Sequence, residues 1–171
     1  AGGIAEALRL TQGFVGERNV AVILGDNVFE DSMKKYADAF LDDEENECYL
    51  FLREVEDPES FGIAWLDDSG SIVDMKEKPN RPDSNLAITG LYLYSSRVFE
   101  LIDHSVETIG YSSRGELEIT DINRFFMERG LAKGCHFECH WADCGTIDAL
   151  LETSNLMKEW GKGRWLPPMG E

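Results

Sequence analysis

"VAVILGDNVFEDS", residues 20–32, decides the fold class, because an apolar run without polar alternation leads straight into an acid. The five apolar residues at 20–24 are typical of a strand that is covered on both faces, as in a parallel α/β sheet. Asp26 follows where that strand ends, directly after Gly25. Ligands of open α/β sheets collect beyond the carboxyl ends of the strands. The segment therefore predicts a buried strand that ends at a candidate functional carboxylate.

Helical and strand patterns alternate along most of the chain on both sides of this segment. Strands are predicted at 20–24, 48–55, 86–95 and within 135–146, a hairpin at 61–79, and helices at 4–15, 31–43, 96–103, within 112–130 and at 146–160. This order favours an α/β fold with a mostly parallel sheet plus an inserted β-hairpin. We expect one domain at residues 1–160, followed by an irregular C-terminal tail at 161–171.

Charge and composition exclude several classes of protein. The 171 residues carry 33 acids against 16 lysines and arginines, a net charge of −17, so a nucleic-acid-binding surface is not expected. No apolar run reaches membrane-spanning length, and no signal peptide is recognised. Four cysteines without a sign of export predict free thiols in a reducing cytoplasm.

Two carboxylates follow predicted strands and are candidates for metal binding. Asp26 lies in Gly25-Asp26-Asn27, and Asp143 lies in "HWADCGT" before the last helix. Carboxylates at such positions bind Mg²⁺ while phosphates complete its octahedron. The alternatives are a turn acid that caps the next segment at Asp26, and a loop acid stabilised by a helix dipole at Asp143.

The hairpin's return strand ends in Glu77-Lys78-Pro79. A Glu that accepts hydrogen bonds from sugar hydroxyls and a Lys that faces a phosphate would suit a sugar phosphate. A surface ion pair before a turn is the other interpretation.

Cys135, His136, Cys139 and His140 have the residue types of a zinc site but not its spacing. On a strand, the two cysteines would lie about 13 Å apart at about 3.3 Å per residue, which Zn–S bonds of about 2.3 Å cannot bridge. Zinc is therefore not expected unless this segment forms a compact knuckle.

Taken in order, six segments resemble the sugar-phosphate nucleotidyltransferase family, and within it the glucose-1-phosphate thymidylyltransferases. They are "GGIAEAL", "LGDNVF", "FGIAWLDDSGSIVDMKEKP", "SNLAITGLYLYSSRVFE", "SRGELEITDINRFF" and "WADCGTIDALLETSN". The resemblance covers roughly residues 2 to 160. It implies a Rossmann-like nucleotidyltransferase fold, with a nucleoside triphosphate and a sugar 1-phosphate as substrates and an NDP-sugar and pyrophosphate as products.

The resemblance also implies roles for particular residues. Mg²⁺ would be held by Asp26 and Asp143, and the nucleobase would lie against Gly3. The other implied contacts are Gly62, Glu77 and Gly90 in the sugar pocket, Lys78 near the sugar's phosphate, and Tyr92 and Arg114 in the pocket wall.

The chain departs from the family pattern at its start. Family members begin with a strand and a loop of the form Gly-x-Gly-Thr-Arg-Leu, followed by a catalytic Lys, and these are not present here, so the fold is expected to be N-terminally truncated. One hypothesis is the sugar- and metal-binding part of an enzyme whose remainder is lost or supplied by a complementing chain. The other is a non-catalytic descendant that binds a sugar phosphate or nucleotide sugar, or an interaction module that forms a homodimer. Either way, unpaired sheet edges are expected beside residues 20–24.

Overall fold

The computed structural model describes residues 2–160, so the predicted tail at 161–171 lies outside the described residues. Within this range the chain forms a six-stranded sheet, a two-stranded sheet and six α-helices. The strands are β1 (Val20–Ile23), β2 (Asn27–Phe29), β3 (Cys48–Glu54), β4 (Gly62–Leu66), β5 (Ile72–Glu77), β6 (Leu86–Tyr94), β7 (Ala132–His136) and β8 (Trp141–Asp143). The helices are α1 (Ile4–Arg9), α2 (Gln12–Val15), α3 (Lys34–Asp42), α4 (Val98–Thr108), α5 (Ile119–Glu128) and α6 (Ile147–Trp160).

Strand β3 lies near the centre of the large sheet and separates two apolar cores. Its residues Cys48, Leu50 and Leu52 pack with α1, α4 and α5 on one face. Tyr49 and Phe51 point to the other face, where they pack with aromatic residues of α3. Because both faces are covered, five consecutive residues are buried, which explains why this strand has no polar alternation.

The α/β class and the Rossmann-like fold are confirmed, but the expectation of a mostly parallel sheet is wrong, because antiparallel pairs predominate within residues 2–160. The order is β5-β4-β6-β3-β7, with β1 also paired to β6. Strand β6 runs antiparallel to β1, β3 and β4, and β3–β7 is the parallel pair within residues 2–160. Parallel neighbours need a crossover, usually a helix. Between β3 and β6 the chain instead makes the β4–β5 hairpin, which leaves β6 running in the opposite direction.

Strand β1 is an edge strand, and the expectation that both of its faces are covered is wrong. It pairs with β6 from Val20↔Tyr94 to Ile23↔Leu91, and no described strand pairs with its other edge. Exposure alternates along it, with Ile23 59% exposed. The unpaired edge expected here is thus present among the described residues.

Two further predicted elements are each divided in two. The helix expected at 4–15 is interrupted near Thr11, whose hydroxyl donates to Leu8 O at 2.7 Å. The strand expected within 135–146 becomes β7, which joins the large sheet, and β8, which pairs with β2. No helix in the described range is long and apolar enough to cross a membrane.

Candidate active site

The two-stranded sheet brings the two candidate acids together. Strands β2 and β8 pair antiparallel with Asn27 opposite Asp143, so Asp26 immediately precedes the pair. The backbone N–H of Cys144 donates to Asp26 O at 2.7 Å, which ties the two turns to each other. Residues 117 positions apart in sequence thus lie at one end of the same small sheet.

The carboxylates of Asp26 and Asp143 converge beside Gly145. Asp143 Oδ1 lies 3.2 Å, and Asp26 Oδ2 3.9 Å, from the point where a Cβ of Gly145 would sit, which holds these two oxygens within about 7 Å of each other. Asp143 Oδ1 also accepts from the Gly145 N–H at 3.0 Å. Two carboxylates that lie close together and are open to solvent are a donor set that fits a hard divalent cation with several waters.

A cavity of about 290 Å³ lies next to Asp143, between β4, β6 and the start of α5. Its lining brings together most of the residues that the sequence singled out: Gly62, Glu77, Lys78, Gly90, Tyr92, Arg114 and Asp143. Asp26 and Gly3 are not part of this lining: Asp26 lies between the lining residues Leu24 and Asn27 in sequence, and Gly3 lines the adjoining groove.

Glu77 is held in place from two sides. Its Oε2 accepts from Thr120 Oγ1 at 2.7 Å, and its Oε1 lies 3.4 Å from Arg114 Nη2. Gly62 stands opposite Glu77 in the β4–β5 hairpin, and a Cβ there would come within 3.2 Å of Glu77 Oε2. Glycine at position 62 therefore leaves room for the carboxylate at the cavity wall.

Arg114 is surrounded by three carboxylates: Glu118 at 2.7 Å, and Glu77 and Glu116 at 3.4 Å each. The hydrogen bond with Glu118, reinforced by the neighbouring charges, raises the pKa of Arg114 above its ordinary value. The cavity lining contains four acids, including Asp143, against Arg114 and Lys78. The cavity is thus acidic although it contains two basic side chains.

Two residues that line the cavity have an unusual local backbone geometry. Lys78 adopts a left-handed conformation, φ 43°, while its N–H donates to Phe61 O at 3.0 Å. At Gly90 a Cβ would come 2.5 Å from Asn27 Cγ, so only glycine admits the Asn27 side chain against β6. Tyr92 is buried beneath the cavity and stacks on Tyr94, and burial raises the pKa of Tyr92, reinforced by the charge of Glu77.

Gly3 lies at the start of α1, beside an apolar groove of about 730 Å³ that follows the free edge of β1. Its φ is +89°, and a Cβ would come 2.7 Å from Leu117 O. The groove and the acidic cavity share Ile4, Leu24 and Glu116, so the two adjoin.

Three of the side chains at this site were not predicted from the sequence to take part in its chemistry. Asn27 and Trp141 each lie within two residues of a candidate acid, and that proximity is the signal that could have indicated them. Thr120 lies in the first turn of α5, where no side-chain cap is formed, and its hydroxyl binds Glu77. The described residues contain no group of three or more His, Cys, Asp or Glu that could hold a metal ion.

Comparison with known proteins identifies the class that this fold and site define. The family model for nucleotidyl transferase matches residues 1–159, and the chain belongs to that family. It is 36% identical to glucose-1-phosphate thymidylyltransferase of Streptomyces griseus over 92% of this chain and 43% of the relative. It is also 36% identical to the enzyme of that name from Xanthomonas campestris, over 91% and 52%.

Solved structures give the same result. A protein from Bacillus anthracis, described as a glucose-1-phosphate thymidylyltransferase in complex with sucrose, superposes with a TM-score of 0.82 at 40% identity over 93% of this chain and 62% of that one. A UDP-glucose pyrophosphorylase superposes with a TM-score of 0.79 at 26% identity, over 93% and 61%. The chain spans about half the length of the curated relatives it matches.

Proposed function

We propose that this chain supplies the sugar- and metal-binding part of a sugar-1-phosphate nucleotidyltransferase. In that reaction a phosphate oxygen of the sugar 1-phosphate attacks the α-phosphorus of a nucleoside triphosphate, and pyrophosphate leaves as the NDP-sugar forms. One observation carries the proposal: the carboxylate of Asp26 approaches that of Asp143, which lines a cavity together with Glu77, Lys78 and two glycines, Gly62 and Gly90.

The cavity suits a ligand of monosaccharide size. Its volume of about 290 Å³ lies at the lower limit of small-molecule pockets, which span about 300 to 1,000 Å³. The anchored carboxylate of Glu77 would accept hydrogen bonds from sugar hydroxyls, while Gly62 and Gly90 keep the cavity wall free of side chains. Lys78, which follows Glu77, would face the phosphate, and Tyr92 and Arg114 would complete the wall.

The acidic lining supports a requirement for a divalent cation. A sugar phosphate is an anion, and the excess of carboxylates over basic side chains would repel it. The family is typically Mg²⁺-dependent. Asp26 and Asp143 are the residues that would hold Mg²⁺, which when bound neutralises phosphate charge and polarises the reacting phosphorus. The nucleobase would lie near Gly3, where the cavity adjoins the apolar groove.

Calorimetric titration with dTDP-glucose, with and without Mg²⁺, tests the proposal. We expect saturable binding that needs Mg²⁺ and is lost in Asp26→Ala and in Asp143→Ala. Asp68→Ala is the matched control, because it removes an exposed acid from the β4–β5 turn. Binding that survives both site substitutions would exclude the metal role.

A second candidate is a non-catalytic protein that binds a sugar phosphate or nucleotide sugar, or that serves as an interaction module. The free edge of β1 favours it, because within residues 2–160 no strand pairs there and an apolar groove lies alongside. A second copy of the chain, or a complementing chain, would cover that edge by strand addition.

Two measurements separate these candidates. Incubation with dTTP, glucose 1-phosphate and Mg²⁺ should give no measurable NDP-sugar from this chain alone, because positioning of the triphosphate provides much of the rate enhancement. Clear turnover would favour the enzyme over the non-catalytic protein. Light scattering should give the mass of a homodimer, and a monomer would contradict coverage of β1 by a second copy.

A further inference from the structure

The side chain of Asn27 is hydrogen-bonded to three separate segments of the candidate site. Its Oδ1 accepts from the backbone N–H of Gly90 in β6 at 2.8 Å and from Trp141 Nε1 in β8 at 2.7 Å. Its Nδ2 donates to Asp26 Oδ1 at 3.0 Å. One amide thus connects a cavity strand, an aromatic wall residue and a candidate metal ligand.

These partners fix the orientation of the amide. Two N–H donors face one atom of Asn27, so that atom must be the carbonyl oxygen, and the amide nitrogen must then face Asp26. The hydrogen bond occupies Asp26 Oδ1. The other oxygen, Oδ2, is the one near Gly145 and Asp143. Asn27 therefore determines which Asp26 oxygen is turned toward Asp143.

The same amide holds one wall of the cavity. The indole N–H of Trp141, in β8, donates to Asn27. The Trp141 ring also contacts the ring of Phe61, and the two ring centroids lie 5.7 Å apart. Gly90 provides the space into which Asn27 fits, because a Cβ there would lie 2.5 Å from Asn27 Cγ. A change at Asn27 would disturb the acid pair and this wall together.

We infer that Asn27 is a positioning residue that sets both the divalent-cation affinity of the Asp26–Asp143 pair and the placement of Trp141. The part that concerns the cation rests on the proposed function. Groups that hydrogen-bond a metal ligand orient it, and their loss typically weakens metal binding about 10- to 100-fold. The part that concerns Trp141 depends only on the hydrogen bonds described.

The first test measures the binding of Mn²⁺, an oxygen-binding substitute for Mg²⁺. The concentration of the free ion is followed by its electron paramagnetic resonance signal. Asn27→Ala should weaken Mn²⁺ binding about 10-fold at a temperature where circular dichroism shows the variant fully folded. Asn123→Ala is the matched control: it removes another asparagine amide, which accepts from Tyr94 Oη at 2.6 Å in the core. It should lower stability and leave Mn²⁺ affinity unchanged.

The outcomes for the two proposals are distinct. A wild-type protein that binds no Mn²⁺ would overturn the proposed function, whereas wild-type affinity in Asn27→Ala would overturn the role of Asn27 toward the cation. The second test needs no metal. The Trp141 indole N–H, assigned by NMR with Trp141→Phe, should exchange slowly in the wild type and at least 10-fold faster in Asn27→Ala but not in Asn123→Ala. Equal exchange in Asn27→Ala and the wild type would show that Asn27 does not hold Trp141.

Discussion

The hydroxyl of Thr120 donates to Glu77 Oε2 across 2.7 Å and so joins the first turn of α5 to the last residue of β5. The two residues are 43 positions apart, and both surround the point where a Cβ of Gly62 would sit. The carboxylate of Glu77 thus reaches the cavity in one fixed orientation. Its use as an acceptor for sugar hydroxyls depends on that orientation, because a mobile carboxylate would have to be ordered when the ligand binds.

Removal of the Thr120 hydroxyl should therefore weaken ligand binding. We expect Thr120→Val to raise the Kd for dTDP-glucose about 5- to 10-fold, since hydrogen bonds to charged groups contribute about 1.5 to 3 kcal/mol and part of that will be recovered by water. Calorimetry provides the measurement. Thr120→Ser keeps the hydroxyl and should bind within about 2-fold of the wild type; an equal loss in both variants would show that the hydrogen bond from the Thr120 hydroxyl does not account for the loss.

Replacement of Gly3 tests the close approach of the chain start to the loop before α5. Gly3→Ala would place a Cβ 2.7 Å from Leu117 O at a φ of +89°, so we expect about 2 to 4 kcal/mol of destabilisation from backbone strain and crowding. Gly13→Ala is the control, because no atom lies within 4 Å of its Cβ position and the residue is helical. Urea unfolding should show that variant unchanged or more stable by up to about 1 kcal/mol. Similar losses in both would contradict the assigned contact.

The sequence was sufficient to predict most of the elements, because their apolar periodicity is local; the division of the helix at 4–15 and the short strand β2 were not predicted. Strand β3 and helix α5 each carry the pattern of the core that they contact. The order of motifs then indicated the family, which the comparisons show. Pairing directions were predicted less well, because the direction of β6 depends on an inserted hairpin that reverses the chain.

Individual residues of the candidate site could be predicted where their residue type implies a particular chemistry. Contacts between segments that are distant in sequence could not be predicted. Asp26 and Asp143 were expected to follow strands and were singled out for that reason; Asp143 is in fact the last residue of β8. The bond from Asn27 to Trp141 spans 114 positions, and nothing local to either residue indicates it. The exposure of Ile23 was missed for a related reason: an apolar strand has the same composition whether or not a neighbour covers it.

Asp43 makes the stability of the fold depend on pH. Burial acts to raise the pKa of Asp43, but hydrogen bonds from Tyr49, Asn46 and Glu45 outweigh it and hold this pKa well below its usual range. A carboxyl whose pKa is lowered by folding stabilises the protein above the unfolded-state value of about 4, and this contribution is lost as the pH falls toward the folded-state value. Tyr49→Phe removes the donor at 2.7 Å. Its stability deficit should be about 1 to 2 kcal/mol at pH 7, because loss of this hydrogen bond raises the folded-state pKa of Asp43 toward its unfolded-state value.

Denaturant unfolding at pH 7 measures this deficit, and an NMR titration of the Asp43 carboxyl should show a higher pKa in Tyr49→Phe than in the wild type. Tyr36→Phe is the matched control, because the Tyr36 hydroxyl donates to a backbone carbonyl, His136 O at 3.2 Å, which does not titrate. Tyr36→Phe should leave the pKa of Asp43 unchanged. An Asp43 pKa that is the same in Tyr49→Phe and in the wild type would mean that the Tyr49 hydroxyl does not stabilise the charged form of Asp43.

Lys78 and Arg81 offer a matched pair for separating backbone strain from ligand binding. Both are non-glycine residues with left-handed backbones, φ 43° and 49°, but Lys78 lines the cavity and Arg81 does not. Substitution by glycine removes strain of about 1 to 2 kcal/mol and adds a similar entropy cost from the unfolded chain, so both variants should remain within about 0.5 to 1 kcal/mol of the wild type.

Lys78→Gly should also raise the Kd for glucose 1-phosphate at least 10-fold in the presence of Mg²⁺, because an ammonium group is lost beside the phosphate. Arg81→Gly should leave that Kd unchanged. Equal weakening in both variants would assign the effect to loop flexibility and would remove Lys78 from the phosphate site.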